Sequence, residues 1–218
     1  MKLYGAVRSR TTRPLWALLE SGLPFEHVPV LQAYRLDEPA ALDAPLNTAS
    51  AAFLAINPMG QIPTLVDGDL VLTESLACVL HIARKAGAPF GPADQAEDSL
   101  MQNWAFFAVA SIEPAAIEIL YPLSDGRAET PEGQAQIARG LAALDRPLSR
   151  IEMHLATHVW MMGGRFTAAD ICLAETLRYV QRHPTAMAPF AAVRGWLSRC
   201  QIRPAFVDMI ARRNAETQ

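Results

Sequence analysis

Residues 57–75 read NPMGQIPTLVDGDLVLTES. Two short apolar runs, 62–66 and 70–73, flank Asp67-Gly68-Asp69, whose residue types favour the tight reversal of a β-hairpin. Immediately downstream, Leu76, Val79, Leu80 and Ala83 recur at i, i+3, i+4 and i+7, which is the period of an amphipathic helix. Ser75 stands where a cap is needed and Gly87 where the helix must stop. A β-β-α unit is therefore predicted, ending near residue 87. Upstream, Pro63 follows the Gly60 turn and directly precedes the first strand. That position suits a cis Ile62–Pro63 bond, which would open the Ile62 backbone to an extended peptide, or an ordinary edge-strand proline.

Working outward toward the N-terminus, residues 2–7 read as a strand and 14–21 as a helix. Leu15, Leu18 and Leu19 supply its apolar face and Gly22 its stop. Residues 25–31 alternate and form a second strand, parallel to the first if the helix is the crossover. Residues 32–50 hold Pro39, Pro45 and Asn47 without a period and read as a loop with at most one helical turn. The first 86 residues are thus an α/β domain, β-α-β then β-β-α, and 87–93, with Pro89, Gly91 and Pro92, have linker composition. From 94 to 218 only helical periods appear, at 94–120, 131–160, 168–182, 189–200 and 204–213, so an all-helical domain is expected. Pro114 and Pro147 should kink two of these helices.

Composition narrows the function. The chain has 218 residues, 51% hydrophobic and 19% charged, enough to bury a substantial core. Its formal charge of −3 supplies no field to gather nucleic acid or an anionic membrane. Cys78, Cys172 and Cys200 are an odd number in apolar helical surroundings with no metal-like pairing, so they read as reduced buried thiols and no metal is expected. The N-terminus lacks a signal-peptide pattern, and no stretch approaches about 20 uninterrupted apolar residues. A cytoplasmic protein is expected.

Two further segments suit ligand chemistry, and a third is structural. Glu74 and Ser75 at a helix start suit the ammonium and carboxylate of an amino-acid headgroup, although for the motif alone plain capping is the favoured reading. Arg8-Ser9-Arg10-Thr11-Thr12-Arg13-Pro14 gathers hydroxyls and guanidiniums where the first helix begins, an electropositive pocket for an anion; Thr11 or Thr12 also suits a simple cap. In Phe166-Thr167-Ala168-Ala169-Asp170-Ile171, Thr167 is placed as N-cap, Asp170 at the returning position and Phe166 against Ile171, a complete helix-start signature.

In order and spacing, Ser9, the Asn57-Pro58-x-Gly60-x-Ile62-Pro63 segment, Glu74-Ser75 and Gly164-Arg165-Phe166-Thr167-x-x-Asp170 resemble the cytosolic glutathione S-transferases, serine-type, over nearly the whole chain. The resemblance implies a thioredoxin-like N-terminal domain, an all-helical C-terminal bundle and usually a homodimer. It also implies that glutathione is the co-substrate, conjugated to an apolar electrophile in detoxification. Ser9 would then hydrogen-bond the glutathione sulfur and favour its thiolate. Ile62, ahead of a cis Pro63, would pair with the cysteinyl backbone, Gln61 would help meet the glycine carboxylate, and Glu74 and Ser75 would hold the γ-glutamyl end. Gln61 stands where many relatives carry lysine or arginine. Arg10, Asn103, Trp104 and Phe107 are nominated for the second substrate, with core packing the competing role for the last three. Isomerisation, peroxide reduction and dehalogenation would use the same thiolate, and a non-catalytic interaction module would keep the same fold.

Overall fold

β1 (Lys2–Tyr4) buries Leu3 completely and ends at Gly5, whose φ of +150° turns the chain out of the sheet. A Cβ at Gly5 would stand 2.2 Å from Thr11 Oγ1, so only glycine lets the turn close onto the next helix. This is why the strand is shorter than the 2–7 expected from the sequence. α1 (Thr12–Ser21) follows and stops at Gly22, whose left-handed conformation returns its N–H to Leu18 O. β2 (Glu26–Val28) then pairs parallel to β1, with α1 as the expected crossover. The segment 32–50 contains one 3-10 turn, Ala33–Arg35, and leads into the short α2 (Ala51–Leu54).

The hairpin forms as expected: β3 (Thr64–Asp67) pairs antiparallel with both β1 and β4 (Leu70–Leu72), giving the sheet order β2-β1-β3-β4. α3 (Ser75–Ala86) packs against α1, burying Cys78, Val79 and Ile82. The computed structural model describes residues 1–216.

In the helical unit, α4 (Gln95–Phe107) passes through a π-turn, Ala108–Ile112, into α5 (Glu113–Ser124). The widened turn lies just before Pro114, which has no N–H to give the preceding turn. By length and composition alone the continuous helix Gln95–Ser124 could cross a bilayer. Here α7 (Ala168–Leu177) packs on α4 and α6 (Pro131–Leu155) on α5, and the same helix carries Glu97, Asp98, Glu113 and Glu118. α6 (Pro131–Leu155) continues through Pro147 as one helix. α7 (Ala168–Leu177) is buried along its whole length, and α8 (Ala191–Gln201) follows. The 87–93 segment is not a free linker, since Phe90 is buried and Arg165 donates to Pro89 O at 2.8 Å within this unit.

α9 (Pro204–Ala215) departs from expectation. Placed by its sequence position in the helical domain of 94–218, it packs instead on α1, so the compact units are Met1–Ala86 with the residues from Arg203 onward, and Gly87–Ile202. The reason lies in α1, where all residues from 12 to 18 are buried. One sheet-facing side cannot bury a full turn of helix. α9 covers the remainder, with Phe206 edge-on to Trp16 at 4.9 Å and Arg203 Nε donating to Glu20 Oε1 at 3.0 Å.

Candidate active site

The loop from Gly5 into α1 brings Ser9 to the N-terminal end of a helix with no acidic residue in its first turn. That leaves the positive end of the helix dipole unopposed there. Ser9 is half-buried, and its Oγ donates to Ala6 O at 2.6 Å. The Thr11 N–H donates to the same oxygen at 3.1 Å, and Thr11 Oγ1 lies 2.9 Å away. A serine hydroxyl has one proton, and it is directed at Ala6 O, so Thr11 is the donor in the hydroxyl pair. A ligand sulfur receives the Ser9 proton only when the O–H turns away from Ala6. Thr11 is 0% exposed and lies beneath Gly5, so of the two hydroxyls only Ser9 reaches the surface. His27 Nε2 donates to Gly5 O at 2.8 Å, bracing the loop from β2.

The second wall is the segment before β3. Asn57 is 1% exposed, and its Nδ2 donates to Gln61 O at 2.7 Å and Thr64 Oγ1 at 3.1 Å, while its Oδ1 accepts the Met59 N–H at 3.1 Å. The loop is closed from within by this one side chain. The Ile62–Pro63 bond is cis, one of the two arrangements open to the sequence. Ile62 is half-buried and Pro63 buried, whereas the Gln61 side chain is exposed.

At the start of α3, Cys78 N–H donates to Glu74 O at 2.9 Å, so Glu74 stands at the cap position just before the helix. Ser75, read as the cap, is instead the first helical residue. Its Oγ accepts from Arg13 Nη1 at 3.0 Å, and Arg13 is 2% exposed. Of the three arginines grouped in an electropositive pocket, Arg13 lies inside, behind Ser75. Its signal was its spacing from Trp16 and Ala17, which puts all three on one side of α1. Glu74 itself is exposed. Ser9, Arg13, Ile62, Pro63, Glu74 and Ser75 thus belong to one folded unit, with Arg13 and Ser75 in direct contact.

The residues nominated for a second substrate differ among themselves. In the helical unit Asn103 is exposed and Phe107 half-buried. Trp104 is 7% exposed, edge-on to Phe107 at 5.8 Å and to His154 at 5.1 Å, with the Arg150 guanidinium 4.9 Å from its ring centre. It therefore takes the core-packing role. Arg10 is exposed on the loop beside Ser9. Among the described residues no group of three or more His, Cys, Asp or Glu side chains could hold a metal ion.

Residues 9–85 match the family model described as glutathione S-transferase, N-terminal domain, and residues 134–199 match glutathione S-transferase, C-terminal domain. The chain is 32% identical to glutathione S-transferase 3 of Zea mays over 97% of its own length and 93% of that protein. Among solved structures it is similar to the theta class glutathione S-transferase of Xanthomonas axonopodis pv. citri with glutathione bound, at 27% identity and a TM-score of 0.78, covering 96% of each chain. It is also similar to glutathione transferase F7 of Populus trichocarpa, at 28% identity and 0.79, covering 98% of this chain and 99% of that one. The four-stranded mixed sheet and helical unit agree with these structures. Since both halves of the family pattern lie in order along one chain, and the maize relative matches across almost all of it, this chain belongs to the glutathione S-transferase family of enzymes.

Proposed function

We propose that this chain binds reduced glutathione, holds its sulfur as thiolate beside Ser9 and transfers it to a hydrophobic electrophile. The observation that carries this reading is the half-buried Ser9 hydroxyl at the N-terminal end of α1, in the same unit as a Ser75 hydroxyl fixed by buried Arg13. Ser75 and Glu74 hold the γ-glutamyl end, Ile62 pairs with the cysteinyl backbone ahead of Pro63, and Gln61 lies alongside. The Xanthomonas relative with glutathione bound supports the ligand.

An unperturbed thiol with a pKa of about 8.5 is only a few per cent ionised at neutral pH. Lowering it by about 2 units takes roughly 2.7 kcal/mol, within reach of one charge-assisted hydrogen bond from Ser9 and the end of the α1 dipole. The proton passes to solvent, the sulfur lone pair forms the new S–C bond, and the displaced group leaves with its electron pair. Arg10, exposed beside Ser9, is the proposed contact for that second substrate.

Titrating glutathione at neutral pH while following thiolate absorbance in the ultraviolet tests the proposal. A saturating signal that disappears in Ser9→Ala is expected; binding without thiolate, or a signal unchanged in Ser9→Ala, refutes the role of Ser9. We further propose a cytoplasmic homodimer, supported by the exposed apolar side chains Leu100 and Phe106 on α4. A monomer by light scattering at micromolar concentration would exclude the dimer.

A further inference from the structure

We propose that Glu216 is a positioning residue for Ser9, an inference that rests on Ser9 being the group that stabilises the thiolate. One oxygen of the Glu216 carboxylate accepts the Val7 N–H at 2.7 Å and the other accepts the Arg8 N–H at 2.8 Å. These are the two consecutive peptide groups that lead into Ser9. The first is the more telling, because the Val7 N–H and the Ala6 carbonyl belong to one planar peptide unit. Glu216 holds the N–H edge of that plate, and Ser9 Oγ is bonded to its C=O edge at 2.6 Å. The orientation of the plate sets where Ser9 Oγ rests, and Glu216 sets the orientation of the plate.

The carboxylate is itself held in place. α9 is fastened to α1 by Phe206 on Trp16 and by Arg203 on Glu20, and Arg8 Nε donates to Arg213 O at 3.2 Å in the last turn before Glu216. A bidentate carboxylate on two backbone donors is among the stronger hydrogen-bonding arrangements available to a loop. The other supports act on Ser9 itself, through the Thr11 N–H on its Oγ and the Thr12 N–H and Oγ1 on its carbonyl, and on Gly5 through His27, leaving the peptides between to Glu216. With the clamp gone, those peptides regain their freedom and the hydroxyl no longer waits at one position for the sulfur.

Glutathione is held by Ser75, Glu74 and Ile62 in the proposed function, none of which Glu216 touches, so its loss should fall on kcat and spare KM. The test is a double-mutant cycle on the full chain, with Ser9→Ala, Glu216→Ala and the two combined, followed by rate against pH and by thiolate absorbance. Glu216→Ala is expected to lower kcat about tenfold, leave the KM for glutathione within about twofold and raise the pH midpoint of the bound thiol. In the Ser9→Ala background the same change is expected to alter kcat less than about twofold.

Glu216→Gln keeps one acceptor oxygen and should fall between, and it serves if the alanine variant does not fold. Equal losses in both backgrounds would overturn the proposal, as would an unchanged kcat in the Ser9 chain. A pH midpoint that falls in both Glu216 variants would also overturn it, since the carboxylate would then act as a nearby charge. If Ser9→Ala alone leaves the thiolate signal intact, the Ser9 assignment fails first and takes this inference with it.

Discussion

A buried guanidinium donating to a hydroxyl is useful at a ligand site because it spends the arginine's donor and orients the hydroxyl's remaining proton. Arg13 does this to Ser75. Replacing Arg13 with Met keeps much of the packing volume and removes the donor, so the affinity for glutathione should fall about tenfold, the worth of one hydrogen bond to a charged partner. Ser75→Ala should cost a similar amount, and the two together little more than either alone. Calorimetric titration of the three variants checks this, and additive losses would show that Arg13 acts elsewhere. Ser75 was legible from its place at a helix start, but Arg13 was not, because its partner lies 62 residues further along the chain. Local polarity in Arg8-Ser9-Arg10-Thr11-Thr12-Arg13 announces charge without saying which arginine turns inward. Trp104 stayed between substrate contact and core packing for the same reason: helical spacing marks an apolar face, and the ring's partner His154 comes from α6.

Elements with a signature of their own were readable, and α7 is the clearest case. Asp170 Oδ2 accepts the Thr167 N–H at 2.9 Å and Thr167 Oγ1 at 3.3 Å, closing the start of the helix as its sequence implies. Its other oxygen accepts the Met161 N–H at 2.9 Å and Trp196 Nε1 at 2.8 Å, two bonds that no local pattern announces. The hairpin of β3 and β4 was equally plain, since its turn residues and two apolar runs occupy one short stretch. The start of α8 was not, because its cap comes from outside: Glu152 on α6 accepts the N–H groups of Ala192 and Val193, both at 2.9 Å. Complete burial pushes the Asp170 carboxyl up to about 6, against the pull of its four donors, from an ordinary value of 3.8. The folded state then binds a proton more tightly than the unfolded chain, so this group's contribution to stability is fullest below about pH 4. It is lost as pH rises to about 6, by roughly 3 kcal/mol. Asp170→Asn cannot titrate and loses part of the network, so it should be less stable throughout, with the gap to the parent narrowing by about that amount between pH 4 and pH 7. Denaturant melts at a series of pH values would read the gap, and one that widens would mean the donors hold the carboxylate ionised below its ordinary range.

At the scale of the whole chain, the first unit is discontinuous, and that was the part least accessible to sequence reasoning: the apolar face of α9 calls for a partner without naming α1. The consequence is thermodynamic. If Gly87–Ile202 unfolds, α9 can stay docked only by closing that entire segment as a flexible loop, at a chain-entropy cost of about 4–5 kcal/mol. That is a large part of the stability of an ordinary domain. The first unit should therefore loosen when the second unfolds, even if no side chain of the first is altered. Three buried thiols can report this, Cys78 in the first unit and Cys172 and Cys200 in the second. Cys78 is shielded twice over, by depth and by a pKa that burial pushes up to about 12, so it should label only when its surroundings open. Asp170→Asn weakens the second unit alone. Labelling with a thiol reagent across a denaturant series, resolved by mass spectrometry, should show Cys172 and Cys200 exposed at lower denaturant than in the parent, with Cys78 following them. A Cys78 midpoint that stays at its parent value while the other two fall would show that α9 remains docked through the loop and that the two units unfold independently.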